Sequence, residues 1–131
     1  MNKVLISNNS LVKNEYENSI CVEFTDTDLI GVLLHVRDKI HKGYKLLTHP
    51  LSGSIKPNES PFKTVLLSQG DAAGLRQGTG FQPQTDFQSV EIIEECIHTA
   101  QKFPQKQLNP EHLFDMQIID LELIKSAVNS Y

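Results

Sequence analysis

The chain has 131 residues with 12 Lys+Arg and 16 Asp+Glu, so its formal net charge is −4. This length allows one compact domain, and the acidic balance excludes a basic surface that would bind nucleic acid. Hydrophobic residues make up 39% of the sequence, which excludes a disordered chain, and the apolar runs are too short for a membrane span, so we expect one soluble domain over residues 1–131.

The first half of the chain alternates short apolar runs with helical patterns. Residues Lys3–Ser7 form an apolar run that stops at polar residues and predicts a first strand. Asn9 or Ser10 can cap a helix of one or two turns after it. The β-branched and aromatic run Ile20–Phe24 predicts a second strand.

Helical spacing of apolar residues predicts the next helix over 27–42, with Gly43 in the C-terminal position that favours a left-handed residue. Residues Tyr44–Thr48 predict a third strand. The alternation of strand and helix is typical of an α/β fold. We therefore expect a mostly parallel sheet of four to five strands flanked by helices, in a Rossmann-like or flavodoxin-like three-layer arrangement.

The second half of the chain breaks this alternation. Residues 49–63 carry three of the six prolines and predict a long ordered loop before a fourth strand at Thr64–Ser68. Residues 70–88 carry four of the seven glycines and predict a mobile Gly/Gln-rich loop. A helix is predicted over Ser89–Phe103, and the end of the chain predicts either a strand at Met116–Asp120 and a terminal helix, or one continuous helix from Glu111.

Ligands of open parallel sheets bind outside the carboxyl ends of the strands, and polar clusters follow the predicted strands here. The candidate ligand-binding residues are Asn8 and Asn9 after the first strand, Thr48, His49, Ser52, Gly53, Ser54 and Lys56 after the third, and Asn58 and Glu59 in the same loop. Backbone amides, hydroxyls and one ammonium in the 52–56 segment predict a site for a phosphate or a carboxylate. The alternative is that the prolines make the loop rigid and it only braces the edge of the sheet.

Other chemistries lack their sequence signatures. No phosphate-binding Gly-x-x-x-x-Gly-Lys-Ser/Thr, Gly-x-Ser-x-Gly or Cys-x-x-Cys motif is present. The histidines, among them His35 and His41, are expected at the surface or at helix ends rather than in a metal site. Cys21 and Cys96 are expected to pack as small hydrophobic residues. We expect no metal and no cofactor, and without a signal peptide we expect a cytoplasmic protein.

The segment from Arg37 to Leu67, RDKIHKGYKLLTHPLSGSIKPNESPFKTVLL, resembles the signature of the GrdX family, small proteins encoded with the clostridial glycine reductase genes. The early SNNSLV and the later SVEIIEE are similar to that family as well. The resemblance implies an accessory or regulatory role beside glycine reductase, which produces acetyl phosphate and ammonia in anaerobic amino-acid fermentation. It implies components of that system as partners and transfers no catalytic residue.

These observations leave three functional hypotheses. The one we favour is an accessory protein that binds a small anionic metabolite or a reductase subunit through the 49–63 loop, because no nucleophile with its base is recognisable. The first alternative is a small enzyme acting on a phosphorylated or carboxylated metabolite, with His49 as proton shuttle and Lys56 as charge clamp. The second alternative is a structural, homodimeric partner protein whose loop braces the sheet.

Overall fold

A computed structural model describes residues 2–51, 56–69 and 85–131. This part of the chain contains four strands and four helices. In chain order they are β1 (Lys3–Ser7), α1 (Ser10–Tyr16), β2 (Cys21–Phe24), α2 (Leu29–His41), β3 (Tyr44–Leu46), β4 (Thr64–Gln69), α3 (Phe87–Gln101) and α4 (Pro110–Ser130). The α/β class and the strand count are therefore as predicted.

The sheet is mixed, with strand order β2-β1-β4-β3. β1 pairs with β2 in parallel, whereas β4 pairs antiparallel with both β1 and β3. The prediction of a mostly parallel sheet is thus wrong, and the Rossmann-like or flavodoxin-like assignment is not confirmed. If β4 were parallel to β3, the chain would need a crossover connection between them, usually a helix. Residues 47–51 and 56–63 form no helix. β4 therefore starts at the edge where β3 ends and runs in the opposite direction.

Helices cover both faces of the sheet because its central strands are apolar on both sides. On β1, Val4 and Ile6 point to one face and Leu5 to the other, and β4 shows the same alternation. The first face packs against buried residues of α2 and α3. The second packs against α1 and α4, chiefly through Val12 and Ile124. The result is a three-layer arrangement. Since β1 and β2 are parallel and both β1 and β3 run antiparallel to β4, the carboxyl ends of β1, β2 and β3 lie at the same edge of the sheet.

Short polar side chains begin each helix by accepting a hydrogen bond from an otherwise unpaired backbone amide. Asn9 caps α1, Asp28 caps α2, Asp86 caps α3 and Asn109 caps α4. The cap at Asp86 starts α3 at Phe87, so the end of the predicted 70–88 loop is helical instead. The rest of that predicted loop, residues 70–84, lies outside the described residues.

The end of the chain is one continuous helix, α4 over Pro110–Ser130, which confirms the second of the two alternatives. Pro110 stands in the first turn, where its missing amide proton costs no hydrogen bond. The residues predicted as a strand, Met116–Asp120, lie in the middle of this helix. Asp120 and Ile124, one turn apart, are its buried residues.

Gly43 supports the turn between α2 and β3, because its φ of 100° is in the left-handed region. We expect Gly43→Ala to lower the free energy of unfolding by about 1–2 kcal/mol, since a Cβ is strained in this conformation. Gly43→Asn is the matched control and should lose less, because asparagine tolerates left-handed backbone better. Urea denaturation measures both, and an alanine variant as stable as the wild type would contradict this role.

Candidate functional site

Polar side chains meet at the sheet edge where β1 ends and β4 begins. Ser7 and Thr64 are directly opposite each other in the register of these two strands. Both lie on the same face as Leu5 and Leu66, because side chains alternate along a strand. Their hydroxyl oxygens are 2.7 Å apart in a buried hydrogen bond. This pair faces the layer that contains α4.

Asp120 of α4, a residue that is only 6% exposed, reaches this hydroxyl pair with its carboxylate. Its Oδ1 accepts a hydrogen bond from the backbone amide of Thr64 at 3.1 Å. Its Oδ2 accepts from the hydroxyl of Thr64 at 2.7 Å and from Nδ2 of Asn9 at 3.0 Å. A buried carboxylate is tolerated when hydrogen bonds replace its lost water. Asp120 thereby joins α4 to the ends of β1 and β4.

The hydroxyl hydrogens of this network have a defined direction. Thr64 has a single hydroxyl hydrogen, and its hydrogen bond to Asp120 uses it. Ser7 must therefore donate to Thr64 Oγ1, and Ser7 Oγ in turn accepts from the amide of Asn9 at 3.0 Å. The donors form a chain that ends on the Asp120 carboxylate. This arrangement stabilises its negative charge inside the protein.

Burial raises the pKa of the Asp120 carboxyl above its ordinary value. Hydrogen bonds from Asn9 and Thr64 and the positive charge of Lys63 oppose this rise. Burial also lowers the pKa of Lys63, although the negative charge of Asp120 favours its ammonium form. The two opposite charges therefore influence each other at the same edge of the sheet.

A cavity of about 160 Å³ opens beside this network. Its polar lining is formed by Thr48, His49, Lys63, Thr64 and Asp120, and its apolar lining by Leu123, Ile124 and Ala127 of α4. A narrower cleft shares Lys63, Asp120 and Leu123 with it and is also lined by Lys56. Within the described residues, the Lys63 ammonium has no carboxylate oxygen within 4.0 Å. A half-buried cation without a close counter-ion is the feature that an anionic ligand requires.

Two of the predicted ligand-binding residues line this cavity, namely Thr48 and His49. The hydroxyl oxygen of Thr48 accepts a hydrogen bond from the amide of Leu66 at 3.0 Å. Nδ1 of His49 accepts a hydrogen bond from the amide of Leu51 at 3.1 Å, and His49 is an exposed residue. The predicted Lys56 lines only the narrower cleft. Ser52, Gly53 and Ser54 lie outside the described residues.

Asn8, also predicted as a ligand-binding residue, is buried and holds the loop to the sheet. Its Nδ2 donates to the carbonyl oxygens of Thr27 at 2.8 Å and Pro61 at 2.7 Å. Its Oδ1 accepts from the amide of Lys63 at 2.9 Å. All three groups of its side-chain amide are used, so Asn8 fixes the backbone that carries Lys63.

Asn9 also uses its side chain within the fold. Its Oδ1 caps α1 by accepting from the amide of Leu11 at 3.1 Å, and its Nδ2 donates to Gln117 and Asp120 of α4. The remaining predicted residues, Asn58 and Glu59, lie in a turn outside both cavities, where the amide of Glu59 donates to the carbonyl of Lys56 at 3.0 Å.

Lys63, Thr64 and Asp120 are functional candidates that the sequence analysis missed. Asp120 was assigned to a possible strand, which hid its position one helical turn before the apolar Ile124. If the segment is interpreted as a helix, Asp120 lies on its apolar face. A carboxylate on a buried face is unusual, and this signal could have identified Asp120 as a candidate. Lys63 has no comparable signal, because its burial depends on the path of the loop.

A second charged cluster joins the edge strand β2 to α2. Glu23 contacts Nε2 of His35 at 2.7 Å and Nζ of Lys39 at 2.6 Å. Burial raises the pKa of Glu23, but the hydrogen bonds from Lys39 and His35 outweigh it, and the pKa is lowered overall. His35 is therefore half-buried and paired, unlike the surface histidine that was expected. These three residues pair with one another and join β2 to α2, so we assign the cluster a structural role.

The two cysteines differ in environment. Cys96 is buried in α3, and burial raises its pKa to about 11, as expected for a thiol packed as a hydrophobic residue. Cys21 is exposed because β2 is an edge strand, so its predicted burial is wrong. Across residues 2–51, 56–69 and 85–131, no three His, Cys, Asp or Glu side chains gather into a possible metal site. In the same ranges no helix has the length and apolar character needed to cross a membrane.

Comparison with known proteins identifies the family of the chain. A family model described as GrdX-like protein matches residues 4–129 of the chain. This confirms the resemblance and extends it from one segment to nearly the whole chain, including Lys63 and Asp120. No curated protein and no solved structure matches the chain significantly.

The raised pKa of Asp120 makes its contribution to stability depend on pH. The native state holds this proton more tightly than the unfolded chain, whose Asp pKa is near 3.8, so the contribution is largest below that value and declines as the pH rises to the raised native pKa. We expect the free energy of unfolding of the wild type, relative to Asp120→Asn, to be larger at about pH 3 than at about pH 7.

Urea denaturation over a pH series measures this difference. Asp115→Asn, an exposed residue of the same helix, controls for the loss of one carboxylate. A wild-type advantage over Asp120→Asn that instead grows as the pH rises would show that Asp120 is stabilised as the charged form.

Proposed function

The chain belongs to the GrdX-like protein family, and from this premise we propose that it is a cytoplasmic accessory or regulatory protein of the glycine reductase system that binds a small anionic metabolite. The family implies an association with glycine reductase genes. The observation that carries the binding proposal is Lys63, a half-buried residue that lines two cavities and whose ammonium has no carboxylate oxygen within 4.0 Å among the described residues.

The surroundings of Lys63 support recognition of a small anion. Its ammonium can donate three hydrogen bonds, and burial strengthens electrostatic attraction because less water screens it. The hydroxyl of Thr48 lines the same cavity, and its hydrogen is free to donate because its oxygen accepts from Leu66. The cavity volume of about 160 Å³ favours a metabolite of few atoms over a nucleotide. Lys63 thus takes the role that the sequence had suggested for Lys56.

The backbone that carries Lys63 is held by hydrogen bonds of the fold itself. Asn8 binds the backbone of Lys63 directly and the preceding Pro61, and Asp120 binds the next residue, Thr64. A site that is already formed loses little conformational entropy on binding. This supports a role as a binding module, which detects a metabolite without converting it.

Binding should appear as a rise in melting temperature with small anions, and Lys63→Met should abolish it. A ligand at a hundred times its dissociation constant stabilises the native state by about 2.7 kcal/mol, which is several degrees for a domain of this size. The panel is phosphate, acetyl phosphate, acetate and glycine. Lys106→Met, which removes an exposed lysine outside both cavities, is the matched control and should keep the full rise.

Lys56→Met distinguishes ligand binding in the larger cavity from binding in the narrower cleft, because Lys56 lines only the narrower one. It should retain most of the rise if the ligand occupies the larger cavity. The proposal fails if no anion changes the melting temperature, or if Lys63→Met responds like the wild type. In the first case, purified glycine reductase subunits become the partners to test by calorimetry, and light scattering tests the homodimer.

A further inference from the structure

We propose that the ligand of this cavity is a small zwitterion, an amino acid whose carboxylate binds Lys63 and whose ammonium binds Asp120. This inference rests on the proposed function and narrows it to one chemical class. It follows from the presence of two opposite charges, rather than one, in the lining of the cavity.

Lys63 and Asp120 share the cavity but do not form a salt bridge, since no Lys63–Asp120 pair of N and O atoms lies within 4.0 Å in the described structure. Asp120 is buried and Lys63 is half-buried, and a charge that loses contact with water is stabilised by a partner of opposite charge. A simple anion would compensate Lys63 but would bring a second negative charge close to Asp120. A ligand that carries both charges compensates the two residues at once, without adding net charge to the site.

Asp120 retains the capacity to bind an ammonium. A carboxylate has about four lone-pair sites for hydrogen bonds, and three hydrogen bonds reach Asp120, two at Oδ2 and one at Oδ1. One site on Oδ1 remains for a donor from the ligand. The donors already present come from the fold itself, so the carboxylate is oriented before the ligand arrives.

The apolar lining limits the size of the amino acid. Leu123, Ile124 and Ala127 of α4 line the same cavity of about 160 Å³. They provide a surface for a hydrogen atom or a short aliphatic side chain and no counter-charge for a longer charged one. The geometry therefore favours glycine or alanine over acidic, basic or aromatic amino acids.

Calorimetry on the wild-type protein tests the zwitterion proposal by comparing each amino acid with compounds that lack one of its two charged groups. Glycine and alanine are compared with acetate and propionate, which lack the ammonium, and with methylammonium and ethylammonium, which lack the carboxylate. We expect at least one amino acid to bind about tenfold more tightly than either matched partner, the factor given by one charge-assisted hydrogen bond. Trimethylglycine keeps both charges but has no N–H group, and it should lose a similar factor.

Two variants test which charged group of the ligand binds Lys63 and which binds Asp120. Lys63→Met should weaken binding of amino acids and of simple carboxylates alike. Asp120→Asn should weaken binding of the amino acid about tenfold and leave acetate unchanged or tighter, with circular dichroism as a check on folding. If Asp120→Asn does not fold, the ligand series on the wild type decides alone.

Acetate or phosphate binding as tightly as the amino acids would overturn the zwitterion and leave the anion proposal standing. Tighter binding of trimethylglycine than of glycine would also overturn it, because Asp120 would then accept no hydrogen bond. Absence of binding by every compound would overturn both proposals.

Discussion

The Asp120 carboxylate is the constraint on which the candidate site depends. It brings α4 onto the end of β1 and the start of β4 through hydrogen bonds from Asn9 and Thr64. Removing one partner from such a buried network leaves the others unsatisfied, which costs more than the hydrogen bond itself contributed. The same carboxylate lines the cavity. Asp120 therefore contributes both to the stability of the fold and to the proposed binding of a ligand.

Asp120 and Lys63 both line the cavity, yet in the part of the chain that the structure describes no carboxylate oxygen lies within 4.0 Å of the Lys63 ammonium. Hydrogen bonds from Asn9 and Thr64 hold the nearest acidic group in place, and Asn8 holds the backbone of Lys63. These bonds fix the Asp120 carboxylate and the backbone from which the Lys63 side chain extends. Two opposite charges on a preorganised framework are a common condition for selective binding of a small polar molecule.

The sequence predicted the elements well but not how they are assembled. The bounds of β1, Lys3–Ser7, are as predicted, and Asn9 is one of the two residues named as possible caps of α1, because apolar runs and capping residues are local signals. The direction of β4 was missed because it depends on the connection over 47–63, whose path is not encoded in any periodicity. Thr48 and His49 follow β3 directly in the sequence and line the cavity, whereas Lys63 and Asp120 are brought there by contacts between distant segments, such as the hydrogen bond between Thr64 and Asp120, 56 positions apart.

The central position of β4 has a consequence for the order in which the chain can fold. β3 pairs with no strand other than β4 in the described sheet, and β1 reaches β4 across a gap of 57 residues between Ser7 and Thr64. During synthesis, β3 consequently has no hydrogen-bonding partner until β4 has left the ribosome. Pairings between remote segments are slow to form because the intervening chain must first lose entropy. Because α3 and α4 follow β4 in the sequence, the faces of the sheet that they cover stay exposed until these helices have also been made, and the nascent chain is vulnerable to aggregation during that time.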